Sequence, residues 1–155
     1  MKRRPDAALD VALEQRQRKL DQKRQVLSER ELALAEQANL LNAAHARVRM
    51  VLNQMDAAQQ PVAGVPLPVE LLGDLERLLQ WCEAQVALHQ ERYDAARGET
   101  DEARGAVAVA HQQVRALELV LEARAADRAE KQRRVEIRLA DETAARVHAR
   151  NGASR

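Results

Sequence analysis

Residues 13–55 read LEQRQRKLDQKRQVLSERELALAEQANLLNAAHARVRMVLNQM and contain neither proline nor glycine. A large apolar residue stands at every seventh position of this stretch: Leu13, Leu20, Leu27, Leu34, Leu41, Val48 and Met55. A helix with a seven-residue apolar repeat keeps that stripe against a partner helix when the two wind around each other left-handedly. The stretch therefore predicts one half of a coiled coil.

The composition is typical of long helices rather than of a layered globular domain. Among 155 residues, 32% are charged, Phe is absent, and Trp and Tyr occur once each. So little aromatic bulk cannot fill a large core. We expect the packed interior to be a narrow seam between helices.

A break in the helical pattern separates two helix-forming segments. Residues 59–68 read QQPVAGVPLP, and their three prolines and one glycine resist continuation of a helix. We predict helix 1 over about 6–58, a bend over 59–68 and helix 2 over about 69–149, all in a single domain. The predicted fold is all-α: a long antiparallel two-helix coiled-coil hairpin in which helix 2 is longer than helix 1.

The seven-residue repeat continues in helix 2. With the Leu13 series assigned to position a, its a positions are Leu72, Leu79, Val86, Tyr93, Thr100, Val107, Val114 and Leu121. Its d positions are Leu75, Cys82, His89, Ala96, Ala103, Ala110 and Leu117. Folding the chain back at about residue 63 sets Leu27 against Thr100 and leaves helix 2 without a partner beyond residue 121. In helix 1 we expect Val26, Ala33 and Leu40, each one residue before an a position, to widen the apolar stripe.

Two groups of residues exceed what this seam needs. The first is apolar and lies at the start of helix 2: Leu71, Leu75, Leu78 and Trp81. A single exposed Trp is often an interface anchor, although the same residues would also serve to fold over Val65 and Leu67 of the bend. The second group is basic and lies towards the two chain ends: Arg16, Lys23, Arg124, Arg128, Arg133, Arg134 and Arg138.

Several classes of function are disfavoured by the residues present. The four histidines have no metal-ligand spacing, there is one cysteine, and no glycine-rich phosphate loop occurs. We therefore expect no enzyme activity, no catalytic residues, no cofactor and no metal site. Acidic residues interrupt the basic end of helix 2 and no aromatic residue there can stack on bases, so we expect no nucleic-acid partner. No apolar run is long enough to insert into a membrane, and we expect a cytoplasmic protein.

Three features along the chain carry a family resemblance. They are the proline-rich bend near residue 63, the string RALELVLEAR at 115–124, and the later EKQRRVE at 130–136 with Asp141-Glu142. With these features, nearly the whole chain resembles the FliJ family of flagellar export proteins and their injectisome counterparts, the YscO and Hrp-type stalk proteins.

The resemblance implies the central stalk of a type III protein export ATPase complex at the cytoplasmic face of the inner membrane. The terminal end of the hairpin would enter the pore of the hexameric export ATPase and couple it to the cytoplasmic ring of the export gate, and export chaperones are further implied partners. The implied ATPase-facing residues are Arg16, Lys23, Arg124, Arg128, Arg133, Arg134 and Arg138. The implied gate-facing residues are Leu71, Leu75, Leu78 and Trp81. The alternative is a self-associating structural coiled coil or an adaptor that binds export chaperones.

Overall fold

The computed structural model describes residues 6–152, which contain two α-helices and no strand. Helix α1 spans Ala7–Gln59 and has 53 residues, and α2 spans Val69–Gly152 and has 84 residues. The two helices pack against each other. The prediction of an all-helical protein made of two packed helices, the second longer than the first, is confirmed.

The start of α1 is set by Asp6. The N–H groups of Leu9 and Asp10 both donate to the Asp6 carbonyl oxygen at 2.9 Å, so the helical hydrogen bonding begins at this residue. The helix ends at Gln59, two residues before Pro61, which has no N–H to continue it.

The connection between the helices contains a tight turn. The N–H of Val65 donates to the carbonyl oxygen of Val62 at 3.1 Å. Gly64, the third residue of this turn, has a φ of 79°, a left-handed conformation that glycine adopts without steric cost. Helix α2 then begins with a hydrogen bond of 3.0 Å from the N–H of Leu72 to the carbonyl oxygen of Pro68.

The chain divides into two compact units. The first unit comprises Met1–Leu20 and Ala110–Arg155, of which 6–20 and 110–152 are described. Its buried apolar residues are Leu20 and Val114, which are 5% and 6% exposed.

The second unit comprises Asp21–Val109 and holds the larger apolar cluster. Val51 of α1 is buried with Leu75 and Cys82 of α2, and the flanking residues are Val48, Met55, Ala58 and Leu79. Farther back along α1, Arg30 contacts Glu99 and Thr100 of α2. In this unit, lower residue numbers in α1 are therefore paired with higher ones in α2.

Burial follows the predicted heptad positions. Every predicted a position of both helices, and every predicted d position of α2, is buried or half-buried. The residues expected to widen the stripe are instead exposed: Val26, Ala33 and Leu40. That expectation is wrong because the seam between two helices covers the a and d positions, whereas the flanking g positions need a third element to cover them.

A polar layer sets the register in the second unit. The hydroxyl of Thr100, which is fully buried, lies 2.8 Å from the Ala96 carbonyl oxygen and 3.3 Å from that of Arg30. Arg30 lies three residues beyond Leu27, the partner that the heptad pattern predicts for Thr100. Two ion pairs between the helices, Arg30–Glu99 and Arg104–Glu31, accompany this contact.

Candidate binding surfaces

The most buried charged group is the carboxylate of Asp6, in the first unit. It accepts hydrogen bonds from two predicted ATPase-facing residues, Arg124 at 3.2 Å and Arg128. The Asp6 side chain is 11% exposed, whereas those of the two arginines are 54% and 49% exposed. The structure thus brings Arg124 and Arg128 together on a single carboxylate and leaves about half of each side chain accessible.

The protonation of Asp6 reflects two opposing effects. Burial removes water and by itself raises the pKa of this carboxyl, but the hydrogen bonds and charges of Arg128 and Arg124 outweigh that effect. The pKa of Asp6 therefore lies below its ordinary value of 3.8. The carboxylate is ionised at neutral pH and occupies the guanidinium edges that an acidic partner would approach.

The last part of α2 is accessible on all sides. Every residue from 131 to 152 is exposed, so that no part of α1 covers this segment. Arg133 and Arg134 pair with Glu130 at 3.1 Å and 2.9 Å, and their side chains remain 68% and 71% exposed. Such surface pairs are weak and exchange easily, so these arginines remain available to a partner.

The other predicted basic residues are placed separately. Arg138 and Arg16 belong to the first unit, are exposed, and make no ion pair within residues 6–152. Lys23 belongs to the second unit, where it lines a groove of about 470 Å³ together with Arg30 and Glu99. The described contacts do not join Lys23 to the other basic residues.

The predicted apolar group divides into one buried and three exposed residues. Leu71, Leu78 and Trp81 are 49%, 42% and 53% exposed. Leu75 is only 8% exposed, because it packs in the seam with Val51. The surface that a partner can reach therefore consists of three residues of the predicted group and excludes Leu75.

The bend does not cover this surface. Val65 and Leu67 are themselves exposed, and the groove of about 360 Å³ at the bend is lined by residues of 57–68 alone. The exposure of Val65 and Leu67 argues against the alternative in which the apolar group folds over the bend. Trp81 and its neighbours remain open.

Sequence reasoning missed the contact that Asp6 makes with the two arginines. Arg124 follows Asp6 by 118 residues, and no local pattern signals a pairing over that distance. The carbonyl of Asp6 begins α1 while its carboxylate binds α2. Placing the two arginines beside Asp6 would have required the register of α1 against α2 to within one helical turn.

Between Asp6 and Gly152, no group of three or more His, Cys, Asp or Glu side chains is arranged to hold a metal ion. Neither helix, over its described length, has a segment apolar enough to cross a membrane. Comparison with protein-family models, with curated proteins and with solved structures finds no match to this chain.

Proposed function

We propose that this chain is a non-enzymatic stalk of a type III protein export apparatus, folded as an antiparallel coiled-coil hairpin. Its basic terminal part enters the pore of a hexameric export ATPase. Its apolar surface near the start of α2 contacts the cytoplasmic ring of the export gate. The site of action is the cytoplasmic face of the inner membrane, where export chaperones are further partners.

The order of contacts supports the hairpin. Val51 packs with Leu75 in the second unit, and in the same unit Arg30 packs with Thr100. This order is the one that two helices give when the chain reverses at the proline-rich bend. A reversed pair of helices is the form that a stalk requires.

The observation that carries the proposal is the uncovered end of α2. Residues 131–152 form a helix exposed on every side, and this helix presents Arg133, Arg134 and Arg138. An isolated helix with few apolar residues gains little from its own packing, so such a segment is most useful inside a partner. A narrow acidic opening would match its shape and its basic residues.

The test uses the cognate hexameric ATPase of the proposed export apparatus. We expect the full chain to raise the rate of ATP hydrolysis and the hexamer fraction, because it would template subunits around its helix. The double charge reversal Arg133→Glu/Arg134→Glu should remove most of this stimulation. Its matched control is Arg77→Glu/Arg97→Glu, which reverses two exposed arginines in the second unit and should leave the stimulation unchanged. An ATPase that ignores the wild-type chain, or that responds equally to both variants, would disprove the ATPase part.

The gate contact has a separate test. Leu78→Ala/Trp81→Ala should abolish binding to the isolated cytoplasmic domain of the gate protein while helix content, measured by circular dichroism, stays at the wild-type level. Both side chains are about half exposed, so their loss leaves the seam intact. Unchanged gate binding would contradict this contact.

The exposed apolar residues also favour a second candidate, a structural coiled coil that self-associates. Leu71, Leu78 and Trp81 together form a surface of the kind that identical chains can bury against each other. Sedimentation over a range of protein concentrations distinguishes the candidates. A stalk remains monomeric, whereas a scaffold shifts to larger species that Leu78→Ala/Trp81→Ala abolishes.

A further inference from the structure

The helix pair of the second unit has two different broad sides. The ion pair of 3.2 Å between Arg104 and Glu31 joins residues that both occupy heptad position e. The groove of about 470 Å³ is lined instead by g-position residues of both helices, Val26 and Ala106 among them. In this unit, the e positions therefore flank the seam on one side and the g positions flank it on the other. We call these the e/b side and the g/c side, after the outer positions b and c that adjoin them.

The g/c side is apolar over the half of the unit nearer the bend. Six large apolar residues are exposed at its g and c positions: Leu40, Met50, Leu71, Leu78, Trp81 and Leu88. Two of them belong to α1 and four to α2. On the e/b side of the same stretch, only two large apolar residues, Leu52 and Val69, are exposed among the described positions. The exposed apolar residues of both helices are therefore concentrated on the g/c side.

The extent of this surface indicates what it can bind. At their exposed fractions, the six side chains leave on the order of 500 Å² of apolar surface, a size that is often functional in soluble monomers. A second copy of the chain would remove roughly 1,000 Å² in total, which is the lower limit for a biological interface. A third helix lying between α1 and α2 would contact the residues of both helices at once, as in helix-in-groove recognition.

The charges on this side indicate the chemistry of that helix. Arg47 and Arg92 occupy g positions among the apolar residues, are exposed, and make no ion pair within residues 6–152. The carboxylate of Asp74, at a c position of the same side, is already paired with Arg77. Guanidinium groups beside an apolar groove favour a partner that carries carboxylates next to its own apolar stripe.

We propose that the g/c side of the second unit is a docking groove for one amphipathic helix whose apolar stripe is flanked by acidic residues. This inference rests on the gate-facing part of the proposed function and extends it, because α1 supplies Met50, Leu40 and Arg47 to the surface. The partner protein contributes a single acidic helix, which inserts between α1 and α2.

The test uses the full chain and two synthetic helical peptides without Trp. The peptides share one apolar stripe of Leu residues, which is flanked by Glu in the first and by Lys in the second. Trp81 is the one Trp of the chain, so its emission reports occupancy of the groove directly. We expect a saturable blue shift with the acidic peptide and at least tenfold weaker binding of the basic peptide.

Variants separate the groove from nonspecific adhesion. Met50→Ala on the g/c side should weaken binding of the acidic peptide about tenfold, whereas Leu52→Ala, on the e/b side of the same helix, should leave it unchanged. Arg47→Glu should remove the preference for the acidic peptide. Circular dichroism of each variant verifies that its helices are intact.

The possible results lead to different conclusions. Equal effects of Met50→Ala and Leu52→Ala, or no saturable shift, would overturn the groove. A blue shift that depends on protein concentration without any peptide would identify a second copy as the occupant and also overturn it. Acidic-peptide binding without ATPase stimulation would keep the groove and reject the stalk, while stimulation without peptide binding would do the reverse.

Discussion

Leu75→Ala should destabilise the helix pair strongly, because Leu75 lies in the seam. Its side chain is 8% exposed and packs in the cluster that contains Val51 and Cys82. The substitution removes three carbon atoms, and at ~0.8 kcal/mol per buried methylene this lowers the free energy of unfolding by about 2.5 kcal/mol. A seam between two helices is open at its flanks and leaves little enclosed cavity, so the value falls near the lower end of the ~2–5 kcal/mol range for such changes.

The matched control is Leu71→Ala, the same substitution one helical turn earlier. Leu71 is 49% exposed, so its truncation should lower the free energy of unfolding by about 1 kcal/mol or less. Urea unfolding followed by circular dichroism at 222 nm measures both variants. Equal shifts of the midpoint would refute the assignment of Leu75 to the seam and of Leu71 to the binding surface. Leu71→Ala should in addition weaken binding of the acidic peptide, whereas folded Leu75→Ala should bind it nearly as well as the wild type.

Two further predictions concern charge and backbone. Asp6→Asn removes a carboxylate whose pKa burial raises but Arg128 and Arg124 lower by more, so that its pKa in the folded state lies below 3.8. The wild type should therefore be more stable than the variant at pH values above 3.8. That stability advantage should disappear as the pH falls through the lower pKa of the folded state. Thermal unfolding of both proteins at pH values from about 6 down to about 2 measures it. A stability difference that grows towards acidic pH would contradict the pairing of Asp6 with the arginines. Gly98→Ala and Gly105→Ala should each raise the free energy of unfolding by ~0.5–1 kcal/mol, since both glycines are exposed within α2 and an added Cβ meets no atom within 4 Å. Gly64→Ala should instead destabilise the protein, because its φ of 79° is strained for a residue with a Cβ. Urea unfolding should therefore shift the midpoint upward for the two α2 variants and downward for Gly64→Ala, and shifts in the same direction would refute this explanation.

The helices and the seam were largely predictable from the sequence, because they depend on local and periodic signals. The absence of proline and glycine from 13–55 and the concentration of proline in 59–68 determine where helices form. The seven-residue repeat then identifies the buried face. Even Thr100, a polar residue assigned to position a from spacing alone, is fully buried.

The register and the accessible surface were less predictable. A heptad pattern matches itself after any shift of seven residues and tolerates small offsets, so spacing alone placed Leu27 rather than Arg30 beside Thr100. Spacing placed Leu75 at a seam d position and also grouped it with Leu71 as a surface residue, and the packing resolves this: Leu75 is buried and Leu71 is exposed. The contribution of Met50 to the g/c side likewise requires knowledge of which flanks of the two helices lie together.

The fully buried Thr100 has a mechanical consequence. Sliding α2 by one heptad would place Val107 or Tyr93 beside the carbonyl of Arg30: valine has no hydroxyl, and the tyrosine ring needs more room than a threonine occupies. Shear along the helix axis is therefore resisted at this level even though the apolar repeat alone would permit it.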